Sequence, residues 1–434
     1  MNIRLYNARI LTMEKNRPVF VGELWIEKDK IVYIAAENDT EAEEKRKVLS
    51  HSFWDNQIDC KGNLLMPGFK NAHTHSGMTF LRSMADDLPL EQWLNERVFP
   101  LEAKLTADDI YHLSRLAILE YLTSGITSIF DMYLDNNAVA QACLDTGMRC
   151  VLASGVNNFT SSAEELEENY LKWNQRDSLI SCRLAFHAEY TCSERLLEQI
   201  AAVAHKYKAP VYTHLAETVK EVTSCRQRYN MTPAVFLDSL GMFDYGGGGY
   251  HCIHMSEEDI EIFRKNKMYV ITNPGSNTKL ASGIAPIAEY MRKKIPVAIG
   301  TDGPASNNCL DMFREMFLVT GLSKLREKDA ASLDAFEVLQ MATVNGAGAM
   351  GLTSCDRLAV GKKADIIMID LHQPNMQPIH NIPKNLVYSG SKSNVCMTMI
   401  NGRILYQNGE FNVGESAENI YAECNQIVKR LLLQ

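Results

Sequence analysis

The 434-residue sequence has no long apolar segment, no long basic run, no internal repeat and no low-complexity stretch. No segment approaches the ~18 uninterrupted apolar residues of a membrane helix, so we expect no membrane anchor. The net charge of −9 argues against nucleic acid and anionic membranes as partners. Neither a GxGxxG nor a GxxxxGK[ST] stretch is present, which argues against nucleotides that carry several phosphates.

Paired cysteine motifs and a secretory leader are also missing. The 11 cysteines form no CxxC pair, are odd in number and lie scattered in apolar surroundings. This usage fits reduced thiols in a cytosolic enzyme better than a disulfide framework or a thiolate zinc site. The first residues alternate like a strand and lack the apolar core and small-residue cleavage site of a secretory signal. We therefore expect a cytoplasmic protein.

Between about residues 66 and 351, short apolar runs alternate with amphipathic stretches. The strand candidates are "LLMPGF", "ITSIFDM", "CVLASGV", "CRLAFHAEY", "APVYTHLAE", "YHCIH", "MYVITNP" and "PVAIGTDG". Eight short strands that alternate with helices predict an α/β fold, a distorted (β/α)8 TIM barrel, with an open doubly wound sheet as the competing topology. The glycines at 246–249 are interpreted as a flexible lead-in to the next strand.

One segment carries a complete set of helix signals. In "TADDIYHLSRLAILEYLTSG", Thr106 and Asp109 have the spacing of a capping pair, and Gly125 marks the stop. The predicted buried face consists of Ile110, Leu113, Ala117 and Tyr121.

The two ends of the chain have a different pattern from the middle. Alternating runs with "NG" turn signals predict antiparallel strands in both flanks. We expect these strands to form one small β-sandwich beside the barrel. The predicted domains are residues 1–65 (first part of the sandwich), 66–355 (catalytic barrel) and 356–434 (second part, with a terminal helix from 416 onward).

The stretch "NAHTHSGMT" places His73 and His75 two residues apart after a buried strand. Residues i and i+2 of a strand point to the same face, so both imidazoles could bind one cation. A pair of hydrogen-bonded core histidines is the alternative, and this motif alone does not decide between them.

Ligand-type residues recur at the predicted strand ends, where a barrel of this kind has its active site. Asp302 ends the eighth strand in "GTDGPASNN", and Glu217 follows the fifth in "THLAE". Six of the 11 histidines lie at or near such ends: His73, His75, His187, His214, His251 and His254. We expect His254 to be structural.

Barrel closure would place Asp302 opposite His73 and His75. With His214 the set becomes three imidazoles and one carboxylate with positions open to water, as in catalytic metal sites. A cation held in this way lowers the pKa of bound water from 15.7 toward ~7. Singly, His214 could be a core histidine and Asp302 a turn residue, but their joint occurrence favours a metal site. Glu217 could then deliver a proton to the substrate.

The stretches "PGFKNAHTHSGM", "THLAE", "HCIH" and "GTDGPASNN" resemble the amidohydrolase superfamily, specifically its mononuclear aminohydrolases. The loop "RSMADDLPLEQWLNERVFPLE" and the stretch "NPGSNTKLASGIAPI" look closest to the 5-methylthioadenosine/S-adenosylhomocysteine deaminases. The likeness extends to the carboxyl-terminal "NLVYSGSKSNVCMTMINGRILYQNGEF" and covers nearly the whole chain.

The resemblance implies one divalent metal, zinc or alternatively iron, on His73, His75, His214 and Asp302. It implies that His251 hydrogen-bonds the metal-bound water, that Glu217 protonates purine N1, and that Asp302 collects the proton of the water that attacks C6. The fourth strand ends in "FHAEY" rather than in the lysine of the binuclear members, which disfavours two metals.

The resemblance also implies the substrate contacts. Glu102 in "FPLE" would bind the ribose hydroxyls, Trp93 would lie beside the nucleoside, and Arg149 and His187 would line the 5′ side. Without the resemblance, Glu102 would be interpreted as a solvated loop charge and Trp93 as a loop anchor. A second arginine that some members carry after the position of Arg149 is missing, since the stretch reads "NNFTSSAEELEE".

The predicted activity is therefore hydrolytic deamination of 5′-methylthioadenosine, 5′-deoxyadenosine or adenosine, in preference to S-adenosylhomocysteine. The alternative enzyme is an aminohydrolase of guanine, an oxidised purine, a pterin or a triazine. A non-catalytic scaffold is disfavoured because every ligand is present. We expect a small-molecule partner only, in a homo-oligomeric protein.

Overall fold

The computed structural model of the chain describes residues 1–37, 39–40, 44–45, 53–84, 86–88 and 92–433. Part of the loop quoted above, namely Ala85 and residues 89–91, lies outside the described residues. Strands of the terminal sheet are β1 (Asn2–Ile10), β2 (Phe20–Glu27), β3 (Lys30–Ala36), β4 (Asn56–Asp59), β5 (Leu64–Pro67), β14 (Ile366–Ile369), β15 (Val395–Ile400), β16 (Arg403–Gln407) and β17 (Glu410–Phe411). Strands of the barrel are β6 (Phe69–Thr74), β7 (Ile126–Tyr133), β8 (Arg149–Ser154), β9 (Ile180–Ala188), β10 (Val211–Leu215), β11 (Gly247–His251), β12 (Tyr269–Thr272) and β13 (Val297–Ile299).

Helices follow most barrel strands and continue beyond the barrel. They are α1 (Phe99–Glu102), α2 (Ala107–Thr123), α3 (Asn136–Thr146), α4 (Ala163–Arg176), α5 (Glu194–Tyr207), α6 (Val219–Tyr229), α7 (Pro233–Ser239), α8 (Glu257–Lys265), α9 (Pro274–Lys279), α10 (Ile287–Arg292), α11 (Met312–Glu327), α12 (Ala335–Gln340), α13 (Gly346–Met350), α14 (Ile382–Lys384) and α15 (Ala417–Leu433). Within the described ranges, none of these helices is both long enough and apolar enough to cross a bilayer.

The eight parallel strands β6 to β13 pair in chain order, and the two edge strands meet. Beyond β13, the Asp302 backbone N–H donates to the His73 carbonyl at 3.0 Å, and the Thr301 backbone N–H donates to Asn71 Oδ1 at 2.9 Å. Sequential order with joined edges confirms the expected barrel and excludes the open doubly wound sheet.

The barrel strands are buried on both faces because helices cover their outer side. Strands β6, β7, β8 and β10 consist entirely of buried residues, which explains their nearly continuous apolar sequence. A compact cluster that includes Phe130, Tyr212 and Tyr250 fills the barrel interior. The barrel interior is therefore a packed core, and its active-site end is the end at which the strands finish.

Helix α2 forms as its sequence predicts. The Thr106 side chain accepts from the Asp109 N–H while the Asp109 carboxylate accepts from the Thr106 N–H, which completes a capping box. Gly125 follows the carboxyl-terminal cap with φ of +73°, a conformation that glycine adopts without strain. The predicted apolar face is buried.

Both chain ends join one nine-stranded sheet in the order β17-β16-β15-β14-β5-β1-β2-β3, with β4 paired to β1. The hairpins β15–β16 and β16–β17 turn at Asn401-Gly402 and Asn408-Gly409, where all four residues have positive φ. The predicted contribution of both termini to a single β unit is confirmed, and the terminal helix is α15.

Two segments differ from the sequence-based prediction. The run "LLMPGF" is not one strand, because β5 pairs with β1 and β14 of the terminal sheet and the first barrel strand begins at Phe69. At Gly68 between them, a Cβ would lie 2.1 Å from the Thr127 side chain, so a larger residue would clash unless Thr127 moved. The expected domain boundary at residues 65 and 66 falls within β5.

The glycine run is the second difference. Gly247, Gly248 and Gly249 are not a flexible lead-in but the first three residues of β11. A Cβ on Gly247 would lie 1.9 Å from the Val211 carbonyl oxygen, and one on Gly249 would lie 2.5 Å from Cys252 Sγ. The missing side chains therefore permit close packing inside the barrel, a use that local sequence does not reveal.

Candidate metal centre and substrate cavity

Four imidazoles and one carboxylate meet at the carboxyl ends of β6, β10, β11 and β13. His73 Nε2 lies 3.1 Å from His214 Nε2, and Asp302 Oδ1 lies 3.1 Å from His75 Nε2 and 3.6 Å from His73 Nε2. One ligand-type atom from each of His73, His214, His251 and Asp302 lies within 4.8 Å of the others. His251 is thus a member of this group, whereas the expected ligand His75 is not, although its Nε2 lies 3.1 Å from Asp302 Oδ1.

Hydrogen bonds fix the orientation of three imidazoles. The Nδ1 atoms of His75 and His214 donate to the carbonyls of Met132 and His187 at 2.5 and 2.7 Å, and His251 Nδ1 donates to Asn277 Oδ1 at 2.7 Å. Each Nε2 then presents a lone pair, and those of His75 and His214 point to the centre. Such second partners are typical of metal-bound histidines, since they fix the tautomer and the ring orientation.

The Asp302 carboxylate is held so that one oxygen faces the centre. Oδ2 accepts from the hydroxyls of Ser276 and Ser306 at 2.6 and 2.8 Å. Oδ1 accepts from the Gly303 backbone N–H at 2.8 Å and faces His75. Only Oδ1 is therefore positioned to contact an ion or a water at the centre.

The backbone is strained around the centre. Ala216, His251 and Asp302 have φ of +51°, +69° and +59° at the ends of β10, β11 and β13. Each non-glycine residue in this region costs of order 1–3 kcal/mol and persists only where the surrounding structure imposes it. Strain at three strand ends that meet at one point indicates a functional site.

The residues present fit a divalent cation. Lone pairs of the neutral imidazoles of His73 and His214 face each other beside the Asp302 carboxylate in a buried space, which is unfavourable unless a cation lies between them. Nitrogen and oxygen donors of this kind suit zinc and similar ions. The set therefore forms a site for a divalent metal.

The pKa values of His73, His214 and Asp302 favour the unprotonated forms that bind a metal, whereas His75 shares a proton with Asp302. Burial and the neighbouring imidazoles hold the pKa of His73 and of His214 well below the usual value. Burial opposes ionisation of Asp302, but the hydrogen bond and charge of His75 outweigh it and hold the Asp302 pKa well below its usual range. For His75, Asp302 outweighs burial and raises the pKa to about 8.

Glu217 lies beside the centre, in the turn after β10. Its Oε1 accepts from the Ser282 hydroxyl at 3.2 Å, and its Oε2 lies 3.8 Å from His251 Nε2. The Glu221 carboxylate accepts from the backbone N–H groups of Ala216 and Glu217 at 2.6 and 2.8 Å, which fixes this turn. Burial raises the pKa of Glu217, so its carboxyl holds a proton more readily than an exposed glutamate.

A cavity of about 630 Å³ opens beside this centre, within the usual size of small-molecule sites. Trp93, Glu102 and His187 line it together with the metal-site residues. Glu102 ends α1, and burial raises its pKa to about 7, an effect that the Tyr133 hydroxyl partly offsets. Glu102 Oε1 is buried and has no hydrogen-bond partner among the described residues.

The assignment of Arg149 to this cavity is wrong. Arg149 is the first residue of β8 and therefore lies at the opposite, amino-terminal end of the barrel. Its Nε and Nη2 donate to the Asp365 carboxylate at 2.6 and 3.0 Å, and its Nη1 donates to the Ser178 carbonyl. The assignment came from the family resemblance alone, whereas Arg149 begins its strand instead of following it.

Several residues around the centre were missed as functional positions. Asn277, Ser276, Ser282 and Ser306 orient His251, Glu217 and Asp302, and the stretches "NPGSN" and "GTDGPASNN" contain three of them. The concentration of polar residues directly after two strands could have indicated these positions from the sequence. Ser306 bonds Asp302 four residues away, but the partners of Ser276, Asn277 and Ser282 could not be predicted because they follow other strands. His254, expected to be structural, donates from Nε2 to the Ser282 carbonyl at 2.8 Å.

A closed parallel barrel with a histidine–aspartate metal site at its carboxyl end defines the chain as a metal-dependent hydrolase of the TIM-barrel type. The amidohydrolase family profile matches residues 64–405. The chain belongs to the amidohydrolase family.

Similar proteins match over almost the full length. The chain is 37% identical over 439 residues to a 5-methylthioadenosine/S-adenosylhomocysteine deaminase of Thermoanaerobacter pseudethanolicus, covering 97% of this chain and 99% of that protein. It is 40% identical over 408 residues to a protein of the same name in Desulforamulus reducens, covering 92% of each. Among solved structures, an adenosine deaminase from Xanthomonas campestris with bound zinc superposes with a TM-score of 0.91 at 29% identity, covering 100% of this chain and 98% of the other.

Proposed function

We propose that the protein deaminates adenosine-type nucleosides by hydrolysis and releases ammonia and the inosine analogue. The observation that carries the proposal is the carboxyl of Glu217 beside the histidine–aspartate centre, at the wall of a nucleoside-sized cavity. The names of the relatives support the same reaction. Expected substrates include adenosine, 5′-deoxyadenosine and 5′-methylthioadenosine.

His73, His75, His214 and Asp302 would hold one divalent ion, and zinc is the ion that we propose. The zinc in the Xanthomonas campestris structure and the nitrogen-rich donor set support this choice. When bound, the ion supplies Lewis acidity and makes water nucleophilic near neutral pH.

The protein's own residues would carry the protons. Glu217 gives a proton to purine N1, so that negative charge does not build up on the ring as water attacks C6. Asp302 Oδ1 accepts one proton from that water and passes it to the amino group, which leaves as ammonia, while the second proton of the water returns to Glu217 as the C6 carbonyl forms. His251, held by Asn277, orients the water from the other side.

The cavity walls would position the nucleoside. Glu102, which lines the cavity, accepts hydrogen bonds from the ribose hydroxyls, and the buried Trp93 packs beside the nucleoside. His187, which lines the cavity and whose ring Nδ1 lies 3.2 Å from the Thr191 hydroxyl, faces the 5′ side.

Ammonia release from adenosine, its 5′-modified analogues, adenine and guanine, with metal analysis of the same sample, tests the proposal. We expect turnover of the nucleosides together with bound zinc. A variant Glu102→Gln should lose activity on nucleosides without losing metal. Turnover of a free base but not of its nucleoside would overturn the proposal, as would full activity in a metal-free sample.

Three expectations from the sequence stay predictions: the cytoplasmic location, the homo-oligomeric state and the domain boundaries.

A further inference from the structure

We propose that Glu315, on α11, is a positioning residue for catalysis whose carboxylate holds together the two loops that orient Asp302 and His251. This inference rests on the proposed function and extends it to a side chain outside the site itself. Glu315 is not among the described residues that line the substrate cavity.

The Glu315 carboxylate connects the segments that follow β12 and β13. Glu315 lies in the first turn of α11, and its side chain is fully buried. Its Oε2 accepts a hydrogen bond from the Gly275 backbone N–H at 2.8 Å, in the segment after β12. Its Oε1 accepts from Asn307 Nδ2 at 2.8 Å, in the segment after β13, and that nitrogen also donates to the Thr301 carbonyl at 2.7 Å. One side chain therefore joins two neighbouring loops.

Each of these loops supplies one hydroxyl to the metal centre. Ser276 follows Gly275 directly, and its hydroxyl donates to Asp302 Oδ2 at 2.6 Å. Ser306 precedes Asn307 directly, and its hydroxyl donates to the same carboxylate oxygen at 2.8 Å. Because both hydroxyls are next to a residue that Glu315 binds, the orientation of the Asp302 carboxylate depends on the position of Glu315.

The loop after β12 also carries the partner of His251. Asn277 lies two residues after Gly275, and its Oδ1 accepts from His251 Nδ1 at 2.7 Å. The loop packs closely against Glu315, since a Cβ at Gly275 would lie 2.7 Å from the Asn307 side chain and closer still to Glu315 Oε1. A shift of the carboxylate would therefore move the loop that orients His251.

The burial of Glu315 indicates a functional role more than a stabilising one. Burial raises the pKa of Glu315 to about 8, an effect that the hydrogen bonds from Asn307 and Gly275 partly offset. Both of these partners are uncharged, whereas the buried Asp365 is paired with Arg149. A buried carboxyl group without a charged partner is costly. Groups of this kind cluster at functional sites.

Two substitutions of Glu315 should give graded effects. In Glu315→Leu neither loop keeps its acceptor, and we expect zinc affinity and kcat to fall by about 10- to 100-fold, the range for residues that orient metal ligands. Glu315→Gln keeps one acceptor oxygen and should lose less. The KM for adenosine should stay close to the parent value, because the cavity walls are unchanged. Chelator competition measures the zinc affinity, and steady-state kinetics measures kcat and KM.

Cobalt in place of zinc reports the geometry of the centre. The visible absorption spectrum of the Co²⁺-loaded enzyme depends on the arrangement of the ligands, so Glu315→Gln should change it if Asp302 is reoriented. Arg149→Met is the control for a general loss of stability and should keep the parent spectrum. Glu327→Gln, at the opposite end of α11, is the chemically matched control and should keep both the spectrum and kcat.

The folded Glu315→Gln enzyme decides the inference even if Glu315→Leu does not fold. Parent values of the Co²⁺ spectrum, the zinc affinity and kcat in this variant would overturn it. A loss of activity with an unchanged spectrum and unchanged zinc affinity would also overturn it, because the loops would then have kept Asp302 in place. A parent enzyme that deaminates no adenosine would overturn the proposed function, whereas the zinc affinities would still test the role of Glu315.

Discussion

Two buried polar clusters lie at opposite ends of the same barrel, and they differ in how far their hydrogen bonds are satisfied. At the amino-terminal end, the Asp365 carboxylate accepts from Arg149 at 2.6 and 3.0 Å and from the Asn401 backbone N–H at 2.8 Å. At the carboxyl-terminal end, imidazole nitrogens and Asp302 Oδ1 face each other across a shared space.

The difference distinguishes a structural cluster from a functional one. Opposite charges pair directly in the first cluster, so nothing further is needed to complete it. In the carboxyl-terminal cluster, hydrogen-bond acceptors face one another. The backbone is strained at three strand ends there, and a cavity adjoins the cluster. Substitutions should therefore affect stability at one end and metal content and catalysis at the other.

The largest effect is expected from the metal ligands. His73→Ala or Asp302→Asn should abolish ammonia release and strongly reduce metal content, because each change removes a donor from the centre. Kinetics and elemental analysis measure the two effects. Full metal content and near-normal turnover in either variant would contradict the assignment of the carboxyl-terminal cluster as the metal centre.

Glu217→Gln should keep the metal and lower kcat by about 10²-fold or more, the size expected for a general acid and base. The change keeps the shape of the side chain and removes only its ability to give a proton. Glu261→Gln, on the exposed face of α8, is the matched control and should be neutral. A Glu217→Gln enzyme with most of its activity would refute the proton role.

At the other end, Arg149→Met should destabilise the fold by about 3–5 kcal/mol, because it leaves Asp365 buried without its partner. Metal content and kcat of the folded fraction should not change. Urea denaturation measures the loss, and a variant as stable as the parent would contradict the structural role.

The same pair predicts a pH dependence. Burial disfavours ionisation of Asp365, but the Arg149 charge outweighs it and holds the Asp365 pKa below 3.8. The stabilisation by ionised Asp365 is therefore complete above its pKa of about 3.9 in the unfolded chain. It is lost as the pH falls through the lower pKa of Asp365 in the folded protein. Hence the stability difference between the parent and Asp365→Asn should be greatest near neutral pH and should narrow below about pH 4. An unchanged difference at low pH would argue against this assignment.

The smallest effect is expected one step away from the metal. Asn277→Leu should lower activity by about 10- to 100-fold, because His251 loses the acceptor that fixes its ring. Asn277→Asp keeps an acceptor oxygen and should restore much of the activity. If the leucine and aspartate variants behave alike, packing rather than orientation explains the effect.

Local patterns predicted those features that depend on neighbouring residues. The capping box of α2, the Asn-Gly hairpin turns and the alternation of eight strands with helices could all be read from short stretches. The ligand residues were recognisable because they follow strands, and parallel strands of a barrel end at the same face.

Features that depend on distant partners could not be predicted in this way. The glycines of β11 looked flexible because the Val211 carbonyl against which Gly247 packs lies on another strand. Arg149 looked like a ligand-binding residue, although its partner Asp365 lies more than 200 residues away in the chain. Such contacts leave no trace in the local sequence.

The sequence by itself determined the barrel, the contribution of both chain ends to one sheet, and the types of residue available at the strand ends, since strand period, turn chemistry and ligand identity are local properties. The tertiary structure decided which nitrogen of each imidazole and which oxygen of Asp302 face the centre, and which charges line the cavity. The physical reason is that hydrogen-bond geometry and burial arise only when separate strands meet.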